Sequence, residues 1–178
     1  MIICLIGFMG AGKSTIGKKL STVLNYNFID MDTYIEEKYK YTISGLFSLL
    51  GEDGFREIEN KMLEEVLHTD NLVLAAGGGT PCFMNNMEII NNKTYSVYLK
   101  KTEELLFTRL VNSKKKRPLL QNLSETELEH YIHNLVILRE PIYNLAKLIV
   151  NGASIDAQKL SVAIFENYKN DSQSEIYL

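Results

Sequence analysis

The sequence predicts an α/β protein with a three-layer α/β/α architecture, in which helices cover both faces of a five-stranded parallel sheet. Three observations predict it. Short runs rich in β-branched and aromatic residues alternate with segments of helical periodicity. A glycine-rich loop joins the first strand to the first helix, and polar or glycine-rich segments directly follow the other strands. The length of 178 residues is typical of one domain, so we expect residues 1–178 to form a single domain.

The predicted elements alternate along the whole chain. The strands are residues 2–6 and the runs "YNFID", "NLVLAA", "YSVYL" and "AKLIV". Helical spacing of apolar residues predicts helices over 13–24, 32–39, 43–50, 54–68, 103–111, 124–139 and 157–168. Gly51 separates two of these helices and is expected to end the first of them. The polar tail 169–178 is expected to fray.

The loop after the first strand has the spacing Gly7-x-x-x-x-Gly12-Lys13-Ser14, which is typical of a phosphate-binding loop, or P-loop. In such a loop, consecutive backbone N–H groups surround phosphates, the lysine reaches the outer phosphates, and the hydroxyl meets Mg²⁺. Clustered glycine is costly unless the backbone needs unusual dihedrals or a close approach. The preceding strand and following helix favour a nucleotide site over an unliganded turn, because phosphates bind at a helix N-terminus.

Composition excludes several classes of function. The net charge of −3 offers no basic excess to attract nucleic acid, and no apolar run approaches the ~18 residues that a membrane span needs. The two cysteines have no metal-ligand or redox spacing, which fits a reducing compartment. The first strand leads directly into the phosphate loop, so we do not expect it to be a removable signal. We expect a cytoplasmic protein with neither membrane nor nucleic-acid partners.

Asp30 and Asp32 follow the second strand and cannot both point the same way if the strand continues through them. Phosphoryl transfer needs a cation beside the phosphates and a group that orients the accepting hydroxyl, and each carboxylate can serve one purpose. The alternative for Asp32 is a helix N-cap, or a capping box with Thr33 and Glu36.

The third strand ends in Ala75-Ala76, where a second nucleotide motif usually ends in Asp. Metal binding is therefore expected to rest on Ser14 and on Asp30, the latter through water. The next three residues are Gly77, Gly78 and Gly79, which keep side chains away from the strand end and suit a small polar substrate. A flexible turn is the alternative.

Three arginines are candidates for binding an anionic substrate. Arg56 can hold a carboxylate or phosphate with its planar guanidinium, or merely pair with Glu59 on an exposed helix face. Arg117 ends the basic run "KKKR" before Pro118 and fits a mobile lid over ATP, although a solvated basic run is the usual explanation. Arg139 lies near a helix end, where the helix dipole alone can account for it.

Taken in order, "GFMGAGKSTIGKKL", "FIDMD", "GEDGFREIE", "AAGGGT", "KRPLL" and "REPIYNLA" resemble the motifs of the shikimate kinase family over residues 1–168. These are P-loop enzymes related in fold to nucleoside monophosphate kinases. The resemblance implies ATP-dependent phosphorylation of the 3-hydroxyl of shikimate, a step toward chorismate and the aromatic amino acids. It also implies Mg²⁺ as cofactor, ATP as co-substrate, and shikimate and ATP as the partners of a monomer.

The resemblance also implies residue roles. Lys13, Asp32 and Arg117 would be catalytic, and Ser14 and Asp30 would hold the metal, Asp30 through water. The ATP-binding residues would be Gly10, Ala11, Gly12, Lys13, Ser14, Thr15, Arg109, Arg117 and Ser154. The substrate-binding residues would be Asp32, Arg56, Gly77, Gly78, Gly79 and Arg139. The loop 151–154 would flank adenine, 33–63 would be a substrate-binding helical insertion, and 111–123 would be the mobile lid.

One departure and two rivals qualify the functional hypothesis. The residue before the glycine triplet is often Ser or Thr in this family, but Ala76 has no hydroxyl. A kinase of the same fold acting on gluconate or a nucleotide is the enzymatic rival, and the aromatic residues within 33–63 do not exclude it. A nucleotide-binding regulator without catalysis is the rival from another class. A substrate panel separates all three.

Overall fold

The computed structural model describes residues 1–113, 123–169 and 174–178. Within these residues, six strands form one parallel sheet in the order β2-β3-β1-β4-β5-β6. Their bounds are β1 Ile2–Ile6, β2 Asn27–Asp30, β3 Leu72–Ala75, β4 Tyr95–Leu99, β5 Leu148–Asn151 and β6 Ser174–Tyr177. The predicted class is confirmed: a parallel sheet flanked by helices, with the phosphate loop at its centre.

The helices join the strands and pack against them. Their bounds are α1 Lys13–Leu24, α2 Met31–Tyr39, α3 Ile43–Val66, α4 Asn86–Lys93, α5 Glu103–Val111, α6 Glu125–Tyr143 and α7 Ala157–Tyr168, with a short 3₁₀ helix at Thr80–Cys82. The prediction that Gly51 interrupts the helical run is confirmed, because its φ of 70° and ψ of −176° break the helical backbone inside α3. None of the described helices is both long and apolar enough to cross a bilayer.

The sheet has six strands rather than the predicted five, because part of the tail that was expected to fray forms β6. Ser174 N donates to Lys147 O at 3.0 Å, and Leu178 N donates to Asn151 O at 3.0 Å. Without β6, β5 would be an edge strand with unpaired backbone groups. Ile176 and the following Leu178 pack against the core, but two such residues carry too weak a periodic signal to predict a strand.

Two helices also differ from the predictions. The helix α4 was not predicted, because its asparagine-rich sequence "NMEIINNK" has low helix propensity. Its buried residues Met87 and Ile90 are three residues apart, so packing on the core stabilises it. The helix α6 continues through Pro141 to Tyr143, four residues beyond the predicted end at 139.

The register of the strands brings the candidate site residues to one edge of the sheet. Leu5 of β1 lies opposite Ala75 of β3 and Val97 of β4, and Asp30 of β2 also lies opposite Ala75. Since the strands are parallel, the segments that follow them emerge side by side. The phosphate loop, the acidic pair and the glycine triplet are therefore neighbours in space.

Candidate active site

The phosphate loop forms a cradle built on left-handed backbone. Gly7, Gly10 and Gly12 have φ values of 136°, 84° and 96°, which L side chains rarely adopt. Lys13 is buried, and its Nζ donates to Gly7 O at 2.7 Å and to Phe8 O at 3.0 Å. The loop therefore places the Lys13 ammonium at the N-terminus of α1. Unpaired N–H groups and the helix dipole favour bound anions there.

A cavity of about 440 Å³ lies over this loop, within the usual range of small-molecule sites. Its lining brings together residues from five strand ends. They are Met9, Gly10, Ala11, Gly12, Lys13, Ser14, Thr15, Ile16, Lys19, Asp30, Asp32, Ala76, Gly78, Lys101, Arg109, Ala153, Ser154 and Ile155. Every residue that we predicted to bind ATP or metal, apart from Arg117, is in this set.

The two aspartates differ in position, as predicted. Asp30 is the N-cap of α2 and accepts a hydrogen bond from Thr33 N at 3.3 Å, while its other oxygen accepts from the Ser14 hydroxyl. Asp32 lies in the first turn of α2 and faces the cavity. The capping alternative for Asp32 is therefore wrong, because the strand ends two residues earlier and Asp30 takes the cap position.

The glycine triplet allows three polar side chains to approach the backbone closely. A Cβ on Gly77 would lie 2.9 Å from Glu59 Oε1 and 3.1 Å from Asp32 Oδ1, and one on Gly79 would lie 2.9 Å from both terminal nitrogens of Arg56. None of the three glycines has a positive φ. Gly77 and Gly79 are thus required for space, and this packing argues against the flexible-turn alternative.

Arg56 is buried and held from several sides. Its Nη1 donates to Glu59 Oε2 at 2.7 Å, its Nη2 donates to Glu52 Oε1 at 3.1 Å, and its guanidinium carbon lies 3.8 Å from the Phe83 ring centroid. Its Nε is buried and has no hydrogen-bond partner among the described residues. Pairing with Glu59 is real, but Glu59 is only 2% exposed, so the predicted exposed helix pair is instead a buried one.

Glu59 is a functional candidate for which the sequence predicted only a pairing with Arg56. Burial raises the pKa of its carboxyl, and the Arg56 charge and a 2.6 Å hydrogen bond from the Thr80 hydroxyl oppose this rise. Thr80 in turn is held by Asn86, whose Nδ2 donates to Thr80 O at 2.8 Å. This buried network fixes the direction of the Arg56 guanidinium. In the sequence, the signal that could have identified Glu59 was its position beside the apolar stripe of α3.

Arg139 contacts the other side of the triplet. Its Nη1 donates to Gly78 O at 3.4 Å, and the Tyr143 hydroxyl donates to the same oxygen. Arg139 and Arg56 thus contact neighbouring residues of the triplet, from α6 and α3. We did not predict Tyr143, although its position one helical turn after Arg139 places both on one face of α6.

Arg109 joins the phosphate loop to the loop after β5. Its Nη1 donates to Gly10 O at 3.0 Å and to Ala11 O at 3.2 Å, and its Nη2 donates to Ala153 O at 2.7 Å. Ser154 lines the same cavity. Lys101, which we did not predict, also lines it, and its ammonium donates to Gly152 O. Burial, with a smaller effect of Arg109, lowers the pKa of Lys101 to about 8.

Arg117 and most of the predicted lid, 111–123, lie outside the described residues. The remaining candidates form two adjoining regions. One is the anion cradle of the phosphate loop, and the other is the glycine triplet with its two arginines. Asp32 belongs to both, because it lines the cavity and approaches Gly77. Such an arrangement can hold a polyphosphate beside a small acid that carries hydroxyl groups.

The chain is similar to known proteins over most of its length. The family model of shikimate kinase matches residues 9–169. A shikimate kinase of Azobacteroides pseudotrichonymphae is 47% identical over 148 residues, which cover 83% of this chain and 87% of that protein. The crystal structure of a shikimate kinase from Bacteroides thetaiotaomicron has a TM-score of 0.87 and 40% identity, covering 96% of this chain and 97% of the other. A shikimate kinase from Acinetobacter baumannii in complex with shikimate has a TM-score of 0.84 and 34% identity, covering 96% and 93%.

Proposed function

Because the chain belongs to the shikimate kinase family, we propose that it transfers the γ-phosphoryl group of ATP to the 3-hydroxyl of shikimate. The products are shikimate 3-phosphate and ADP, on the way to chorismate and the aromatic amino acids. The single observation that carries this assignment is the convergence of Arg56, Arg139 and Asp32 on the glycine triplet, beside the phosphate loop. The motif resemblance predicted the family, and the family match confirms that prediction.

The arginine side of the triplet supports the binding of the substrate carboxylate. Arg56 Nε is a buried donor without a partner among the described residues, and such a donor costs free energy unless a ligand accepts from it. Glu59 and the Phe83 ring hold the guanidinium in place before substrate arrives. Arg139 supplies a second cation next to Gly78. Two fixed guanidinium groups bind a carboxylate with both charge and geometry.

The aspartate side of the triplet supports the binding of the substrate hydroxyls. In the proposed reaction, Asp32 orients the 3-hydroxyl and accepts its proton as the hydroxyl oxygen attacks the γ-phosphorus. The bond from that phosphorus to the bridging oxygen breaks, and ADP leaves with the electron pair. Lys13 at the bottom of the cavity neutralises charge on the transferred group, and we assign the same role to Arg117. Catalysis therefore depends on positioning and electrostatics.

The donor set fits Mg²⁺ on the phosphate side of the cavity. The Ser14 hydroxyl and the Asp30 carboxylate are in direct contact, and both are oxygen ligands of the kind that Mg²⁺ prefers. The described residues contain no group of three or more His, Cys, Asp or Glu that could hold a metal. We propose that Ser14 would hold the ion and that Asp30 would hold it through water. When bound, the ion neutralises phosphate charge.

The remaining parts of the proposal concern the surroundings of the site. We assign residues 33–63, which include α2 from its third residue and most of α3, to substrate binding, because Arg56 and Glu59 lie there. Gly10–Thr15, Arg109 and Ser154 are assigned to ATP. We propose that the protein acts as a cytoplasmic monomer without nucleic-acid or membrane partners.

A coupled assay of ADP formation tests the proposed function. We expect ADP release to depend on shikimate and on Mg²⁺, and to be small with gluconate or a nucleoside monophosphate as acceptor. Mass spectrometry of the product shows the added phosphoryl group, and phosphorus–proton coupling in NMR identifies the 3-position. Release of ADP with gluconate or a nucleotide instead of shikimate would contradict the assignment. Nucleotide binding without acceptor-dependent ADP release would favour the regulator hypothesis.

A further inference from the structure

We propose that β6 is a positioning element for the nucleotide side of the cavity, and that it acts through the loop 151–154. This inference rests on the proposed use of ATP. The family model ends at residue 169, so β6 at Ser174–Tyr177 lies beyond the region that defines the family. The proposed reaction gives β6 no role, and its contacts are therefore an independent observation.

The first contact of β6 fixes the residue at which the loop begins. Asn151 is the last residue of β5, and its side-chain Nδ2 donates to Glu175 Oε1 at 2.7 Å and to Ile176 O at 3.4 Å. Its carbonyl oxygen accepts from Leu178 N at 3.0 Å. Asn151 is thus bound to β6 through both its side chain and its backbone.

The second contact is made against Gly152 by Leu178, the residue that follows β6. This glycine has a φ of 132°, and a Cβ at this position would lie 2.0 Å from Leu178 O. The backbone of Leu178 therefore packs directly on the backbone of Gly152, at a distance that excludes any side chain. The left-handed φ turns the chain from β5 toward the cavity.

The same loop is held from the cavity side by two cations. Lys101 donates to Gly152 O, and Arg109 donates to Ala153 O at 2.7 Å while also binding the phosphate loop. Ala153 and Ser154, which follow directly, line the cavity. The loop is therefore clamped between β6 on its outer side and Lys101 and Arg109 on its inner side. Removing β6 and Leu178 leaves the loop free to move, and ligand binding then has to order it.

This geometry predicts a selective effect on nucleotide binding. Within the part of the chain that the structure describes, β6 and Leu178 make hydrogen bonds to Asn151 and Lys147, and none to the glycine triplet, Arg56 or Arg139. We therefore expect deletion of residues 174–178 to raise the Kd for MgADP by about fivefold or more, as for other couplings between a binding site and a distant element. Shikimate binding should change by less than about twofold, the usual effect of a change remote from a site.

The experiment measures both Kd values by calorimetry on the full chain, the 174–178 deletion, and single variants. Asn151→Ala removes the side-chain link and should reproduce much of the loss for MgADP. Tyr177→Thr is the matched control, because Tyr177 is 80% exposed and threonine retains strand propensity. Gly152→Ala, made in the full chain and in the deletion, completes a double-variant cycle. The rise in the Kd for MgADP that it causes should be larger in the full chain than in the deletion, where Leu178 is absent.

Each outcome supports or overturns the inference. Selective loss of MgADP affinity in the deletion and in Asn151→Ala, with the fold intact by circular dichroism, supports it. Equal MgADP affinity in the full chain and in Asn151→Ala overturns it, even if the deletion fails to fold. A full chain that binds no MgADP contradicts the proposed function instead, and so the two failures are distinguishable.

Discussion

The phosphate loop and the glycine triplet both place several glycines at a strand end, but they use glycine for different physical reasons. In the phosphate loop, Gly7, Gly10 and Gly12 adopt positive φ, so the backbone conformation itself requires them. In the triplet, φ is unexceptional, and the approach of Arg56, Glu59 and Asp32 leaves no room for a Cβ on Gly77 or Gly79. The comparison teaches that similar sequence patterns can meet different requirements, one conformational and one steric.

The largest effect is expected at Asp32, where the two regions meet. Asp32→Asn removes the proposed proton acceptor while keeping the side-chain size, and should lower kcat by about 100-fold or more. The KM for ATP should change little, because the phosphate loop is intact. Steady-state kinetics measure both quantities. Asp53→Asn, an exposed change on α3, is the control, and an unchanged kcat in Asp32→Asn would contradict the proposed role.

Arg56→Ala tests the cation for which the triplet makes space. Loss of the guanidinium should weaken shikimate binding by roughly 2 kcal/mol or more, because the substrate carboxylate loses its buried partner. MgADP binding should remain close to that of the unchanged protein. Calorimetry with each ligand measures this, with Lys61→Ala on the exposed side of the same helix as control. Equal shikimate affinity in both variants would rule out the carboxylate site.

Gly79→Ala tests the steric half of the comparison. The new methyl group would lie 2.9 Å from the Arg56 terminal nitrogens and displace them, so the KM for shikimate should rise roughly tenfold. If space is the reason, the same substitution should have little effect in an Arg56→Ala background. Kinetics on the single and double variants complete the cycle. An equal penalty in both backgrounds would show that the steric explanation is wrong.

Gly10→Ala tests whether the phosphate loop requires glycine for its backbone conformation. The nearest atoms to a Cβ at this position are 3.5 Å away, so alanine fits, but the φ of 84° strains it. The free energy of unfolding should fall by about 1–2 kcal/mol, the cost of a left-handed residue. Denaturant unfolding measures the change. No substitution of a neighbouring side chain should rescue it, since the strain lies in the backbone, and rescue by Leu110→Ala would point to a steric cause instead.

The smallest effect concerns Lys101, on the nucleotide side only. Its pKa of about 8 is below the ordinary value, so above pH 8 the unfolded chain binds a proton that the native protein has lost. The unfolding free energy of the wild type should therefore rise relative to Lys101→Met as the pH increases from 8 toward 10. Urea unfolding at several pH values measures the difference. A difference that stays constant or falls would show that Lys101 is not desolvated.

Much of the fold, and the convergence of the candidate phosphate-loop residues on one cavity, could be predicted because the signals are local. The spacing from Gly7 to Ser14 contains its own structural context, and five strands have strong apolar runs. The roles of Glu59, Tyr143 and Lys101 arise only when distant segments meet, and no local pattern contains that information. The strand β6 has few apolar contacts and depends on pairing with β5, so its prediction required the tertiary structure. Asp32 was ambiguous until the end of β2 gave the cap position to Asp30.

The double use of the Asp30 carboxyl group constrains how this position can vary. One oxygen accepts a hydrogen bond from Thr33 N and so caps α2, while the other accepts from the Ser14 hydroxyl. Asparagine caps helices about as well as aspartate but carries no charge. In a saturation scan of this codon, asparagine should therefore leave protein abundance unaffected while lowering turnover. Alanine and most other residues should lower both, which makes position 30 a point where selection for folding and selection for activity can be separated.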